Sequence, residues 1–392
     1  MSKISIYYFF NSLVVFALQL FGAISYIFLN QKGYSFFEIN LYLSIFWFIS
    51  TVMEIPSGIF VDIIGTRKTL IISYCTRAVG LMTLLFSYNI GILILSGIFT
   101  GVAEALSSGT LDTWITNEIK EEDKNLSMKT IFSRVRTISP IIGILSGFVG
   151  AQYFANINIQ IPFFISMISF FLIALLAIFL IDEPRKLKRI RMNEFKHMYI
   201  YNTRQIFDVI STTKEFWFYI LLFIIPSILD VGPSNQWQII VSNNNGDILT
   251  GYFWIFIGLT TILSNLFISK FIKSNSNTKI LMYSLILVDS IIISLISLDL
   301  LPYYFFLGHV FIFGICSTLI ITYIHDELIV SNELRASIIS VYYTIVSMVI
   351  SFMLLINGKL SDLYGIKNSW LIFTIFSVLL LIILILNRKK VV

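Results

Sequence analysis

The sequence predicts an all-α membrane protein of twelve transmembrane helices in two six-helix bundles, and three observations predict it. Of the 392 residues 57% are hydrophobic and only 12% charged, against roughly 25% charged in a soluble domain. Mean hydropathy is +0.87. Apolar runs of about 20 residues, enough to cross roughly 30 Å of hydrocarbon, recur with short polar breaks along almost the whole chain. The basic residues gather in alternate loops, so the net charge of +5 follows membrane topology and not a nucleic-acid surface. Runs this long and this continuously apolar are helices, because a barrel strand alternates polarity over about ten residues.

The first span is read at 7–29. It follows Lys3 and lacks a small-residue cleavage pattern, so it is expected to be retained and not removed as a signal peptide. Spans at 39–60, 69–89, 91–117, 131–155 and 161–181 complete a first bundle over residues 1–181. Residues 182–215 are the longest polar stretch and carry Arg185, Lys186, Lys188, Arg189, Arg191, Lys196, Arg204 and Lys214, as a cytoplasmic linker would. Spans at 216–240, 249–271, 280–297, 303–325, 337–357 and 369–386 make a second bundle over 216–392, closed by Arg388-Lys389-Lys390.

Orientation follows from the Lys and Arg count. With the N-terminus in the cytoplasm, 21 of the 27 lie inside, Lys32, Lys359 and Lys367 lie outside, and Arg77, Arg134 and Arg136 lie within spans. The chain is therefore expected to be a multi-pass protein of the cell membrane with both termini cytoplasmic. Cys75 and Cys316 fall inside spans without CxxC spacing, which indicates neither a disulfide framework nor a metal site.

Between the second and third spans stands Gly58-Ile-Phe-Val-Asp62-Ile-Ile-Gly65-Thr-Arg67-Lys68-Thr-Leu70, preceded by Glu54. Glycines there allow a sharp turn and close helix approach. The carboxylate and the basic groups can bond to neighbouring helix ends in one conformation only, forming a latch. This stretch resembles the loop signature of the major facilitator superfamily, with Gly58, Asp62, Gly65, Arg67 and Leu70 in register after the second of twelve spans. The resemblance implies a secondary transporter in which two six-helix bundles rock about a central site.

The match is partial. Two positions usually basic in that loop are Ile63 and Thr66, the loop around Lys273–Lys279 lacks the signature, and Gly97 stands where drug-antiporter relatives often carry an Arg. The fifth span holds Ser139-Pro140-Ile-Ile-Gly143-Ile-Leu-Ser-Gly147-Phe-Val-Gly150, similar to a Pro/Gly motif of exporters, though the same glycines suit close helix packing of any purpose. Glu333–Ser337 and Gly358–Gly365 resemble stretches in multidrug or macrolide-type exporters.

Ionisable groups inside spans are costly unless paired or wet, which makes each a candidate for substrate or proton handling. They are Glu54, Arg77, Glu104, Asp112, Arg134, Arg136, Asp230, Asp289 and His309, with His325, Asp326 and Glu327 at one end of the tenth span. Depth along the helices, at about 1.5 Å per residue, sets Arg77 level with Glu104 and Asp112 level with Arg134 and Arg136. Glu104, Ser108 and Asp112 form one stripe on a continuous helix. Each pair reads either as a static tie or as a transport element.

Asp230 precedes Val231-Gly232-Pro233, a helix breaker, with no cation near it in sequence. It reads as the proton or substrate carboxylate, or as a residue wetted from outside. Gln236 and Trp237 just beyond could line a site for an amphipathic ligand. The resemblance implies that the ninth span, which carries Asp289, is peripheral, so Asp289 reads as a hydrogen-bonding residue, and His309 reads as a structural donor.

The chain has no phosphate-binding GKS or GKT loop, no HExxH and no GxSxG. No enzyme activity, cofactor, metal or nucleic acid is expected. The partners are a small-molecule substrate, protons and the bilayer, and the chain is expected to be a monomer. Three readings stand. One is proton-coupled export of an amphipathic drug, antibiotic, peptide or siderophore-like metabolite; one is import of a nutrient on the same fold; one is a sensor or scaffold that moves nothing.

Overall fold

The structure is a computed structural model that describes residues 2–121, 127–182, 214–242, 249–271, 278–324 and 335–391. The core of the basic linker, the loop after the eighth span, the cluster His325-Asp326-Glu327 and Glu333 lie outside the described residues. Eleven helices among the described residues are long and apolar enough to cross a membrane. The first span makes the twelfth, but in two pieces.

The chain divides into two compact units that each borrow a segment. The first comprises Met1–Gly33, Ile45–Tyr199 and Ser242–Ile255; the second comprises Tyr34–Ser44, Ile200–Val241 and Phe256–Val392.

In the first unit, the first span is α1 (Lys3–Gln19) and α2 (Ser25–Gln31), interrupted over 20–24. The break has a neighbour. A Cβ on Gly150 would stand 1.7 Å from the Leu20 carbonyl oxygen, so only glycine lets the fifth span touch the broken backbone. The hydroxyl of Ser166 donates to the Ala17 carbonyl, satisfying one acceptor there. The fifth span is itself irregular, running as α7 (Met128–Val149) into a π-helical turn, Gly150–Phe154, and then α8 (Ala155–Ile157). Phe163 of α9 (Ile161–Leu180) fills the corner, with ring centroids 5.0 Å from Phe21 and 4.2 Å from Phe28.

The second span is α3 (Phe36–Ile64), 29 residues and about 43 Å long. Its first turns belong to the second unit and the remainder to the first. Gly65 at φ 91 turns the chain into α4 (Thr66–Leu85), a backbone state that glycine alone reaches without strain. Lys32 caps the far end of α4, its ammonium donating to the carbonyls of Leu84, Leu85 and Ser87 at 3.1, 2.6 and 2.9 Å. A cation there opposes the negative end of the helix dipole.

The fourth span is α5 (Ile90–Ser107) and α6 (Thr110–Glu121), separated at Ser108-Gly109, where Gly109 has φ 66. The continuous polar stripe expected through Glu104, Ser108 and Asp112 is therefore not formed, because the break turns Asp112 away from the register of Glu104. Helices α4 and α5 approach closely, with Ser73 donating to the Ala103 carbonyl at 2.7 Å and Ser96 to the Gly80 carbonyl at 2.8 Å. These hydroxyls replace lost hydration without adding bulk.

In the second unit, the seventh span is α10 (Lys214–Asp230) and α11 (Pro233–Val241). It breaks where Pro233 can no longer donate to the preceding turn. Then follow α12 (Thr250–Phe271), α13 (Thr278–Ser297), α14 (Pro302–Tyr323), α15 (Arg335–Tyr364) and α16 (Ile366–Val391). Helix α13 packs on α14 and α16, and α10 on α15 and α16. Gly365, at φ 85, joins α15 to α16 as Gly65 joins α3 to α4.

Candidate functional site

Three mid-span groups converge in the second unit. Asp230 ends α10, Asp289 lies on α13 and His309 on α14. The imidazole bridges both acids, with Nδ1 2.8 Å from Asp289 Oδ1 and Nε2 3.1 Å from Asp230 Oδ1. His309 and Asp289 are sealed from solvent, whereas the Asp230 side chain is 21% exposed. The breaker after Asp230 makes this possible, since the carboxylate sits at a helix end and not inside a continuous turn.

Proton counting shows what the site can do. Two hydrogen bonds between one imidazole and two carboxylates need two protons, one on each N···O line. That state carries a charge of −1 whichever atoms hold the protons, and one more proton makes it neutral. A site with low dielectric walls feels that difference strongly. Asp230 is the most exposed member of the three.

Sequence reasoning singled out Asp230 but left it unpaired, and it read Asp289 as a hydrogen-bonding residue and His309 as a structural donor without naming their partners. The unpaired reading of Asp230 is corrected by its contact with His309. The signal was available in the depth arithmetic, because all three lie well inside their spans, but which helices adjoin is not written in any one of them.

The other residues fall elsewhere. Gln236 and Trp237 are packed inside the second unit at 0% and 3% exposure. The Gln236 amide is engaged on both sides, accepting from Trp370 Nε1 at 2.7 Å and donating to Ser361 at 2.9 Å. In the first unit Arg77 and Glu104 form an ion pair across α4 and α5, with the Arg77 side chain 8% and that of Glu104 39% exposed. The guanidinium also lies over the Phe46 ring, 5.8 Å from its centroid.

Asp112 does not meet Arg134 or Arg136. It accepts from the Tyr7 hydroxyl at 2.6 Å, and both arginines are exposed, with no ion pair among the described residues. The break at Gly109 is the physical reason, since it re-aims α6 toward α1. In the Gly58–Leu70 loop, Asp62 and Lys68 are exposed and Arg67 half-buried. Gly58 has open space where a Cβ would stand, so the close approach expected of it is not used, whereas Gly65 is required by its φ. Glu54 is exposed on α3.

Removing one partner of the Arg77–Glu104 pair leaves a charge half-buried. Arg77→Ala is expected to cost about 2 kcal/mol, and Arg77→Ala with Glu104→Ala less than that. Thermal unfolding in detergent measures both, and a double variant no more stable than Arg77→Ala would remove the pair as a coupled unit.

Comparison with known proteins agrees with the geometry. Residues 4–347 match the family described as Major Facilitator Superfamily. The chain is 23% identical over 264 residues to the "Uncharacterized MFS-type transporter YxaM" of Bacillus subtilis (strain 168), a match covering 66% of this chain and 64% of that protein. The chain thus spans just under two thirds of that relative's length.

Among solved structures it resembles the nucleoside transporter NupG, with a TM-score of 0.76 at 14% identity, covering 99% of this chain and 100% of the other. It also resembles a bacterial homolog of the human lysosomal transporter Spinster, with a TM-score of 0.70 at 14% identity, covering 98% and 96%. At that identity the likeness is one of fold. With eleven membrane-length apolar helices among the described residues and a family match over most of its length, the chain belongs to the major facilitator superfamily, whose members are membrane transporters of small molecules and not enzymes.

Proposed function

We propose that this chain is a proton-coupled secondary transporter that exports an amphipathic small molecule, with the Asp230–His309–Asp289 cluster as its proton site. The observation that carries the reading is a histidine held between two acids, Asp289 buried and Asp230 partly exposed. A structural tie would be served by one acid. The second acid keeps the site one proton short of neutral, so its charge changes by one each time Asp230 exchanges with water.

The orientation is that of the basic loops, with both termini cytoplasmic. Export rests on the resemblance of the Pro140–Gly150 stretch to a Pro/Gly motif of exporters; its glycines pack α7 against the Leu20 backbone and against Trp254, where Trp254 Nε1 donates to the Gly143 carbonyl at 3.1 Å. The cargo proposed is an amphipathic drug, antibiotic, peptide or siderophore-like metabolite. The coupled cycle exchanges one proton for each passage, the proton moving down its gradient and the cargo against its own.

Purified protein in liposomes with an imposed pH gradient tests this against a panel of labelled cationic, neutral and anionic amphipaths. Gradient-driven movement of at least one compound opposite to the protons is expected. Movement with the protons would reverse the direction while keeping the site. Failure of every compound in both gradient directions would leave the sensor or scaffold reading in its place.

A further inference from the structure

The end of α3 remote from the Gly58–Leu70 loop is held by a second arrangement of the same residues. Gly58, Asp62 and Gly65 recur at the same spacing as Gly358, Asp362 and Gly365, and both closing glycines take a positive φ. Both aspartates are exposed, but Asp362 accepts from the backbone amides of Phe36 at 2.8 Å and Phe37 at 3.1 Å. Those are the first two amides of α3, which no helical carbonyl can satisfy.

Ser35 and Glu38 satisfy the neighbouring groups reciprocally, Glu38 N–H donating to Ser35 Oγ at 3.2 Å and Ser35 N–H to Glu38 Oε2 at 2.9 Å. The carboxylate of Asp362 therefore sits on the positive end of the α3 dipole, supplied by another helix.

From that cap the start of α3 runs antiparallel along α15 as a zipper. A Cβ on Gly358 would stand 2.8 Å from Phe37 Cα and 2.9 Å from Asn40 Cβ. Asn40 donates to Asn357 Oδ1 at 2.9 Å and to the Leu354 carbonyl at 3.0 Å. One turn further, Ser44 and Ser351 hydroxyls are 3.0 Å apart. Each of these rungs is polar or uses a glycine.

The seam is tied to the proton site by the break in the seventh span. Gly232, two residues after Asp230, lies so close that a Cβ would be 2.4 Å from Trp370 Nε1 and 3.0 Å from Asn357 Nδ2. Asn357 also donates to Ser369 at 3.0 Å, and Gln236 joins Trp370 to Ser361. The segment that carries the proton-exchanging carboxylate thus bears directly on the residue that holds Asn40.

We propose that the α3–α15 seam is a latch closed by Asp362, and that Gly232 and Asn357 transmit the state of Asp230 to it. The latch stands by itself; its coupling rests on the reading of Asp230 as proton carrier. Asp362 and Asn357 are positioning residues, acting on a helix end and not on cargo.

The test uses the full chain in membrane vesicles with Cys75 and Cys316 replaced by Ala, and Ser44→Cys paired with Ser351→Cys. A mild oxidant should join the pair rapidly and stop transport, and a reductant should restore it. Asp362→Ala should slow the joining about fivefold, the upper factor that an exposed charge–dipole contact of this kind carries, and Asp362→Asn, of nearly unchanged shape, should slow it less. Asp230→Asn should shift the joining rate, and Gly232→Ala should erase that shift.

An unchanged rate in both Asp362 variants would overturn the latch. If Asp230→Asn abolishes gradient-driven transport but leaves the joining rate alone, the coupling falls and the proton site stands. If it spares gradient-driven transport, the carrier reading falls, whatever the joining rate does.

Discussion

Asp230→Asn is expected to lower gradient-driven accumulation by about 10²-fold while exchange of labelled for unlabelled cargo across the same membrane continues. The asparagine keeps the size of the carboxylate and can still bond to His309 Nε2, 3.1 Å away. What it cannot do is take up and release a proton. Exchange needs only that the loaded carrier rock between its two states, whereas accumulation needs a proton to change sides with each cycle.

Asp289→Asn is the informative companion, because that side chain is 3% exposed against 21% for Asp230. It removes a charge that solvent does not reach, so its effect should fall on the stability of the histidine's position more than on proton exchange itself. Equal loss of accumulation and exchange in Asp230→Asn would mean that the residue holds the fold together and carries nothing.

The twelve-span plan was legible because hydrocarbon is an exacting solvent. A run of about 20 apolar residues has few other uses, and the Gly58–Leu70 loop stood at the right place to name the superfamily. What was not legible is where a span stops being a regular helix. Ser107-Ser108-Gly109-Thr110 is a stop-and-restart signal written in plain residues, yet inside an apolar run it read as a polar stripe, and the pairing of Asp112 with Arg134 and Arg136 went with it. Pro233 is a stronger breaker, because it removes a donor outright, and that interruption was visible.

The site followed the same rule. Arg77 and Glu104 could be matched by depth because consecutive spans are neighbours, and they meet in the structure. Asp230, Asp289 and His309 come from three different spans, so their convergence depends on how the unit folds. The repeat of Gly, Asp and Gly at 358, 362 and 365 was on the page, but only the contact with Phe36 and Phe37 shows what its carboxylate does.

Gly150→Ala is expected to be the most damaging single methyl in the first unit, and Gly58→Ala among the least. At Gly150 the added carbon would fall 1.7 Å from the Leu20 carbonyl oxygen and 2.7 Å from its carbon, both backbone atoms that cannot swing aside. Either α7 with its π-helical turn must retreat from the first span, or the break at 20–24 must rearrange and give up the Ser166 hydroxyl that satisfies Ala17. Overpacking typically costs 1–3 kcal/mol where side chains can adjust, and a clash with fixed backbone should sit at about the upper end, ~3 kcal/mol.

At Gly58 no atom lies within 4 Å of the added carbon, and the helical backbone gains from losing glycine's flexibility by about 0.5–1 kcal/mol. The superfamily signature would have ranked these two the other way, since Gly58 belongs to it by name and Gly150 only to a degraded stretch. The unfolding midpoint and the yield of monodisperse protein in detergent distinguish them. A Gly150→Ala protein as stable as Gly58→Ala would mean that the first span does not break where the fifth touches it.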